Sequence, residues 1–392
     1  MTAEFDVVIV GAGAAGLMCA IAAGARGRRV LLLDHAAEPG RKILISGGGR
    51  CNFTNLECAH DRFISENPHF CRSALARYTP QDFIALVKKH RITHHEKTRG
   101  QLFCDGSARL IVRMLLDECA GAAVDLRLNH RISEITKSDR FRVATTHGNF
   151  AAQSVVLASG GLSIPKLGAT SFTHQVAKNF GLSVTETRPG LVPLTFSEAD
   201  LRLMRPLSGV AVDVMAYCGA SAFRENLLFT HRGLSGPAIL QASSYWRAGG
   251  KIRIDLLPGI DATSFLRDRK QARPRAEVKT VLGEVLPKRF ADALPERHLP
   301  SRPIGEMADR DLARLGGSLN RWGLVPSGSE GYAKAEVTVG GVNTTALSSS
   351  SMQANAVPGL YVIGESVDVT GWLGGYNFQW AWASGWVAGL AI

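Results

Sequence analysis

The segment FDVVIVGAGAAGL (Phe5–Leu17) leaves few folds open to this chain. Phe5–Val10 is a short apolar run with β-branched residues, the pattern of a strand buried in a parallel sheet. Gly11, Gly13 and Gly16 then fit G-x-G-x-x-G. The first glycine allows a tight turn, the second lets backbone approach a pyrophosphate, and the third lets helix and strand pack closely. Ala14 to about Arg26 reads as a helix whose N-terminal N–H groups and dipole favour phosphate. A second strand, Arg29–Leu33, ends at Asp34, an acceptor for ribose hydroxyls. Alone, the glycines could serve only a tight βα turn. Strand, loop, small-residue helix, second strand and terminal acid in this order specify a nucleotide-binding unit.

A second glycine-rich loop follows, GRKILISGGGRCN (Gly40–Asn52), able to bring more bare backbone to the same ligand. At 392 residues the chain has room for two or three domains. No stretch is long and apolar enough to span a membrane, and the N-terminal apolar run belongs to the first strand rather than to a signal peptide. Seven cysteines without a C-x-x-C pair argue against a disulfide framework or zinc knuckle, so reduced thiols in a cytoplasm are expected. No histidine spacing matches a metal site. Net charge is +11, and the densest basic run, Arg267–Arg275, lacks interleaved aromatics. A solvated helix end accounts for that run better than an RNA site, so nucleic acid is not expected as a partner.

Along the chain, helical patterns cover about Ser73–His90 and Ser107–Ala120. Val124–Leu128, Arg131–Ile135, Phe141–Thr146 and Phe150–Gln153 read as a small antiparallel meander. Ser154–Ala158 returns to a buried strand. Leu194–Leu257 is strand-rich, and Ala262 to about Leu324 is helical and charged. Beyond Ala335 the early pattern comes back: a strand, Leu360–Ile363, then GESVDVTGWLGGYN, then a Trp- and Ala-rich helix, Tyr376–Leu390. Glu365, with Asp368 nearby, resembles the place where flavoproteins bring an acid to the ribityl chain. Gly374 and Gly375 open a helix whose N-terminus could face the flavin edge that gains negative charge on reduction. A Gly-rich loop capping a buried helix is the plainer reading, and the N-terminal unit tips the balance to flavin.

Four segments carry a family resemblance: EPGRKILISGGGRCNFTN (Glu38–Asn55), SGGLSIPKLGAT (Ser159–Thr170), LFTHRGLSGPAIL (Leu228–Leu240) and GLYVIGESVDVTGWLGGYNFQWAWASG (Gly359–Gly385). The chain resembles the HI0933-like, aminoacetone-oxidase-type family of FAD-dependent oxidoreductases over nearly its whole length. The resemblance implies an α/β fold: a two-dinucleotide-binding-type, Rossmann-like FAD domain with an inserted β-rich domain and a helical subdomain. The expected divisions are 1–190 and 331–392 for the FAD domain, 191–260 for the β-rich insertion and 261–330 for the helical part.

The same resemblance implies site residues. Gly11, Gly13, Ala14, Ala15 and Gly16 would hold the pyrophosphate, and Asp34, where the family more often has Glu, the adenosine ribose. Arg41 and Lys42 would flank adenosine and phosphates. Ser46, Gly47, Gly48, Gly49, Arg50, Cys51 and Asn52 would run along the ribityl chain towards the isoalloxazine. Ile132 would meet adenine through its backbone, and Ser159, Gly160 and Gly161 would close over non-covalent FAD. Gly364, Glu365, Asp368, Gly374, Gly375, Tyr376 and Asn377 complete the set. Where the family commonly reads GATGDG, this chain reads GATSFT, which puts a flavin contact there in doubt.

Two residues are candidates for catalysis. Cys51, beside Arg50, would have its thiol pKa lowered by the neighbouring cation, although packing is the plainer role. His231 is a candidate proton donor, or a hydrogen-bonded histidine at a domain junction. No second G-x-G-x-x-G unit serves NAD(P)H, so reoxidation by oxygen, transient NAD(P)H binding and another donor all stay open. The expected function is an FAD-dependent oxidoreductase acting on a small molecule at the junction of the FAD and inserted domains. It would be either an amine oxidase using oxygen or an NAD(P)H-dependent reductase. The alternatives are a tRNA-acting flavoprotein and a non-catalytic flavin-binding protein. Oligomeric state and substrate are not legible.

Overall fold

The structure, a computed structural model, describes residues 3–298 and 302–392. It divides into two compact units. One holds the described residues up to Arg188 together with Val337–Ile392, and the other spans Pro189–Glu336.

The first unit is built on the expected βαβ element. Strand β1 (Ala3–Val10) leads through Gly11–Gly13 into helix α1 (Ala14–Gly24), then strand β2 (Val30–Leu33). β1 and β2 pair in parallel. Val7–Ile9 and Leu31–Leu33 are fully buried, each such side chain contributing about 1.5–3 kcal/mol relative to exposure. β1 pairs on its other side with Gly148–Leu157, which in turn pairs in parallel with Leu360–Val362. The C-terminal return therefore adds a strand to the sheet begun by the N-terminus.

Two details differ from the sequence-based expectation. Asp125–Arg127 pairs in parallel with β2, so it extends the nucleotide-binding sheet instead of opening the meander. Phe150–Gln153 and Ser154–Ala158 form one strand, Gly148–Leu157. Its first half pairs antiparallel with Phe141–Thr145 and its second half is buried against the parallel strands. A polar-to-apolar change along one strand looks like two elements when only the pattern is read. The helical region near Ser73 is split in two, Arg72–Arg77 and Pro80–Lys89. Thr79 and Asp82 form a capping box there, which starts the second helix afresh.

The terminal helix Tyr376–Ala391 lies against α1. A Cβ on Gly385 would stand 2.3 Å from the Ala15 carbonyl oxygen, and one on Gly389 2.6 Å from the Ala22 Cβ. Two glycines one turn apart thus let the last helix sit directly on the helix that carries the first glycine loop.

The second unit joins the strand-rich and helical stretches. Its seven-stranded sheet has neighbouring strands in the order Trp322–Leu324, Ile252–Asp255, Ala211–Cys218, Ser221–Thr230, Gly233–Ser235, Leu194–Thr195 and Gly328–Ser329. The helical segment is enclosed between two paired strands of that sheet, Ile252–Asp255 and Trp322–Leu324, so strands and helices share one unit. No described helix is long and apolar enough to cross a membrane.

Candidate functional site

The first loop assigns each glycine a separate task. Gly11 has φ +111° and a Cβ there would lie 2.5 Å from the Ala158 carbonyl oxygen; on Gly16 it would lie 1.8 Å from the Gly11 carbonyl oxygen. Both are glycine because protein passes against them. On Gly13 a Cβ would meet no protein atom within 4 Å. That is the position where backbone must approach a pyrophosphate. The start of α1 has no side-chain cap, so its first N–H groups have no side-chain acceptor. The residues present fit a dinucleotide.

Asp34 does more than the ribose role implies. Its carboxylate accepts from the Ala12 N–H at 2.7 Å and the Ala36 N–H at 2.8 Å, tying the glycine turn to the end of β2. Nearby, the His130 N–H donates to the Asp34 carbonyl at 2.8 Å, and Ile132 starts the antiparallel strand Ile132–Lys137. Gly168, at φ +85°, lies close to the His35 ring and the Arg41 guanidinium. The residues that depart from GATGDG, 171–173, have local structural roles. They lead into the helix Phe172–Asn179, and Thr173 shares a 2.7 Å hydrogen bond with Ser159.

Lys42 and Glu365, 323 residues apart in sequence, form an ion pair. The Lys42 ammonium also donates to Ser163 Oγ at 2.7 Å. Glu365 accepts from Ser163 Oγ at 2.6 Å and from the Thr338 N–H at 3.0 Å. Burial alone would push the Glu365 carboxyl up; the Lys42 charge and these donors outweigh it and hold it below the usual carboxylate value. Gly160 and Gly161 border the same cluster, where a Gly161 Cβ would come 2.8 Å from Glu365 Oε1. Gly364, at φ +68°, accepts from Trp380 Nε1 at 3.0 Å and abuts Ala15, which brings this cluster to the start of α1. Asp368 does not join the cluster. It is buried and accepts from the Glu66 N–H at 2.9 Å, with burial pushing its carboxyl up.

The second loop, Ser46–Gly49, is wound through left-handed backbone at Gly47, Gly48 and Gly49, with φ of 56°, 67° and 84°. A Gly47 Cβ would strike the Phe103 ring at 2.8 Å, but a Gly48 Cβ would meet nothing within 4 Å. Cys51 follows at φ +52° and is fully buried. Its burial pushes the thiol up to about 12, against a smaller opposing hydrogen bond from Ser46. The expected lowering by Arg50 is therefore overturned: Arg50 is exposed, desolvation dominates at Cys51, and the thiol stays protonated at neutral pH.

Strand Asn52–Asn55 carries this loop to the terminal helix. A Gly375 Cβ would lie 2.4 Å from the Thr54 carbonyl oxygen and 3.0 Å from Asn52 Oδ1, and Asn55 Nδ2 donates to the Gly374 carbonyl at 2.9 Å. Tyr376 is buried edge-on to Phe63, with its hydroxyl pushed up to about 12 by burial. Asn377 uses both ends of its amide on its own loop: Oδ1 accepts from the Gly371 N–H, and Nδ2 donates to the Gly371 and Trp372 carbonyls. That commitment holds the Asn377 side chain against its own loop. His231 belongs to the second unit, exposed in the turn between Ser221–Thr230 and Gly233–Ser235.

Sequence reasoning missed one feature. Gly47, Gly48, Arg50, His95, Lys97 and Phe103 line an open recess of about 380 Å³. It depends on strand register, with Phe103 opposite both Asn52 and His95, so spacing along the chain gives no signal of it.

A solved structure, 3-ketosteroid-delta4-(5alpha)-dehydrogenase from Rhodococcus jostii RHA1 in complex with 4-androstene-3,17-dione, shares this fold. The TM-score is 0.52 at 14% identity, covering 99% of this chain and 96% of that one. Over 386 residues the chain is 51% identical to ribosomal RNA dihydrouridine synthase of Escherichia coli (strain K12), which spans 98% of this chain and 96% of that protein. It is 28% identical over 407 residues to 3-dehydro-bile acid delta(4,6)-reductase of Clostridium scindens, 98% of each. The first of these relatives corrects the expectation that nucleic acid is no partner: a protein half identical over nearly the whole chain is named for action on ribosomal RNA. Residues 5–391 match the HI0933-like protein Rossmann domain, and the chain belongs to that family of enzymes with a Rossmann-type FAD-binding fold.

Proposed function

We propose that this chain is an FAD-dependent reductase that converts a uridine of ribosomal RNA to dihydrouridine, working in the cytoplasm. The observation that carries this reading is the 51% identity to a ribosomal RNA dihydrouridine synthase across 98% of the chain. It takes the RNA-directed alternative in place of amine oxidation and of a free small-molecule substrate, and moves the target from tRNA to ribosomal RNA.

When bound, FAD supplies two-electron redox chemistry. Gly11–Gly16 and the start of α1 would hold its pyrophosphate, and Asp34 would accept from the adenosine ribose with the lone pairs left by its two backbone bonds. Lys42 and Glu365 would lie along the ribityl chain, and Gly47–Gly49 would bring bare backbone to the ring. Saturating the uracil C5=C6 bond adds a hydride at C6 and a proton at C5, with electrons drawn from a reduced nicotinamide. Cys51 and Tyr376 both keep their protons near neutral pH, so neither is a base there, and the C5 proton would come from a side-chain acid or from water.

The test uses ribosomal RNA from cells lacking this protein. Purified protein with NADPH is expected to produce dihydrouridine, read by mass spectrometry of the nucleosides. Flavin bleaching by NADPH with no dihydrouridine formed would overturn the RNA assignment.

A further inference from the structure

The recess beside the second glycine turn combines two chemistries that single-stranded nucleic acid requires. Strands His94–Glu96 and Gln101–Cys104 pair so that His95 faces Phe103. Alternation along the strand separates the two histidines: His94 packs edge-on against buried Phe53, and His95 lies on the outer face with Phe103. The His95 and Phe103 rings stack at 6.1 Å between centroids and 18° between planes. Asp105 fixes the imidazole through a 2.6 Å contact to Nδ1. The outer face of His95, whose side chain is 43% exposed, is thus presented in a fixed orientation.

Around this platform stand two cations. Lys97 lies 5.5 Å above the Phe103 ring centroid, and Arg50 leaves the glycine turn itself. Neither has an acidic partner among the described residues. Two carboxylates are near and both are engaged, Asp105 with His95 and Glu96 with the Gly100 N–H at 2.9 Å. The basic run Arg267–Arg275 contrasts with this. Arg269 and Arg273 are paired to Glu284, and Lys270 to Asp309. The density of positive charge along the sequence is largely neutralised there, whereas the sparse pair at the recess is not.

We propose that this recess is the subsite for the RNA strand, with Arg50 and Lys97 receiving a backbone phosphate and the exposed face of His95 stacking a base. The inference rests on the RNA reading above and adds where the strand is gripped. Unpaired cations beside an aromatic platform are how single strands are held without reading their sequence. The recess opens at Gly47 and Gly48, so a base seated on His95 neighbours the loop assigned to the flavin ring.

The test compares the full-length wild type with Lys97→Gln and His95→Ala, both exposed positions outside the cofactor residues. The probe is a fluorescein-labelled, uridine-rich single-stranded oligoribonucleotide, followed by anisotropy across a salt series. Lys97→Gln is expected to lower the slope of log affinity against log salt by about one. His95→Ala is expected to weaken binding about tenfold, within the range for one lost stacking contact. Both should keep the flavin spectrum, with KM for ribosomal RNA raised. Unchanged affinity, slope and KM in both variants, with wild type still making dihydrouridine, would overturn the subsite and leave the function standing. A wild type that neither retains the probe at low salt nor modifies ribosomal RNA would overturn both.

Discussion

The two glycine-rich loops of the first unit use the same residue for opposite ends. At Gly11 and Gly16 the missing Cβ makes room for protein, since Ala158 and the turn itself occupy that space. At Gly13 and Gly48 the missing Cβ faces no protein atom within 4 Å. The first pair is explained by packing; Gly48 also answers to its left-handed φ of +67°, whereas Gly13, with extended backbone, leaves its open side to something that approaches from outside. Glycine count says nothing of this; what stands opposite each Cα does.

The largest expected effect separates the two classes directly. Gly11→Ala should cost about 3 kcal/mol or more, from a clash with Ala158 added to left-handed backbone, read as a lowered urea midpoint. An unchanged midpoint would break the comparison at its packed end. Gly13→Val should leave the midpoint within about 1 kcal/mol, because its backbone is extended and its surroundings open. FAD affinity should still fall at least about tenfold, a loss of about 1.4 kcal/mol, measured by released-flavin titration. Gly48→Ala sharpens the contrast: about 1 kcal/mol of stability is lost to its φ of +67° alone, while dihydrouridine formation drops further than stability explains.

The smallest effect concerns His174, buried on the helix after Ser159 and contacting the Ser366 carbonyl at 3.3 Å. Burial lowers its pKa. Above the ordinary imidazole value neither folded nor unfolded chain binds the proton. Below about 6.5 the unfolded chain takes a proton that the folded one resists, so stability falls as pH drops. His174→Gln should flatten that slope between about pH 7.5 and about pH 5.5, and a slope unchanged in the variant would assign it elsewhere.

The βαβ element and the C-terminal return were legible because local patterns specify them: a glycine fingerprint, a short apolar strand, a helix opened by two glycines. Gly148–Leu157 was misread as two elements because one strand serves both an exposed meander and a buried sheet. The Lys42–Glu365 pair was not legible as a pair, since each was placed near the cofactor but only the fold brings them together. For Cys51 the packing role agrees with its burial, but the direction of its pKa shift was misjudged, because Arg50 is adjacent in sequence while burial is decided by strands far along the chain. His95, Lys97 and Phe103 were invisible for a related reason: they meet through register, not spacing. RNA, to which the relative's name points, was set aside by weighing how many charges are near one another in sequence, when several of those near Arg267 are already paired.

The ion pair between Lys42 and Glu365 also sets a clock. The two residues are 323 positions apart, so at about 5–20 residues per second of synthesis Lys42 waits roughly 15–65 s for its partner. Through that interval the first βαβ element lacks the strand Leu360–Val362 and the helix laid over α1. On the proposed reading, the site that would hold the cofactor is complete only once Glu365 has been made.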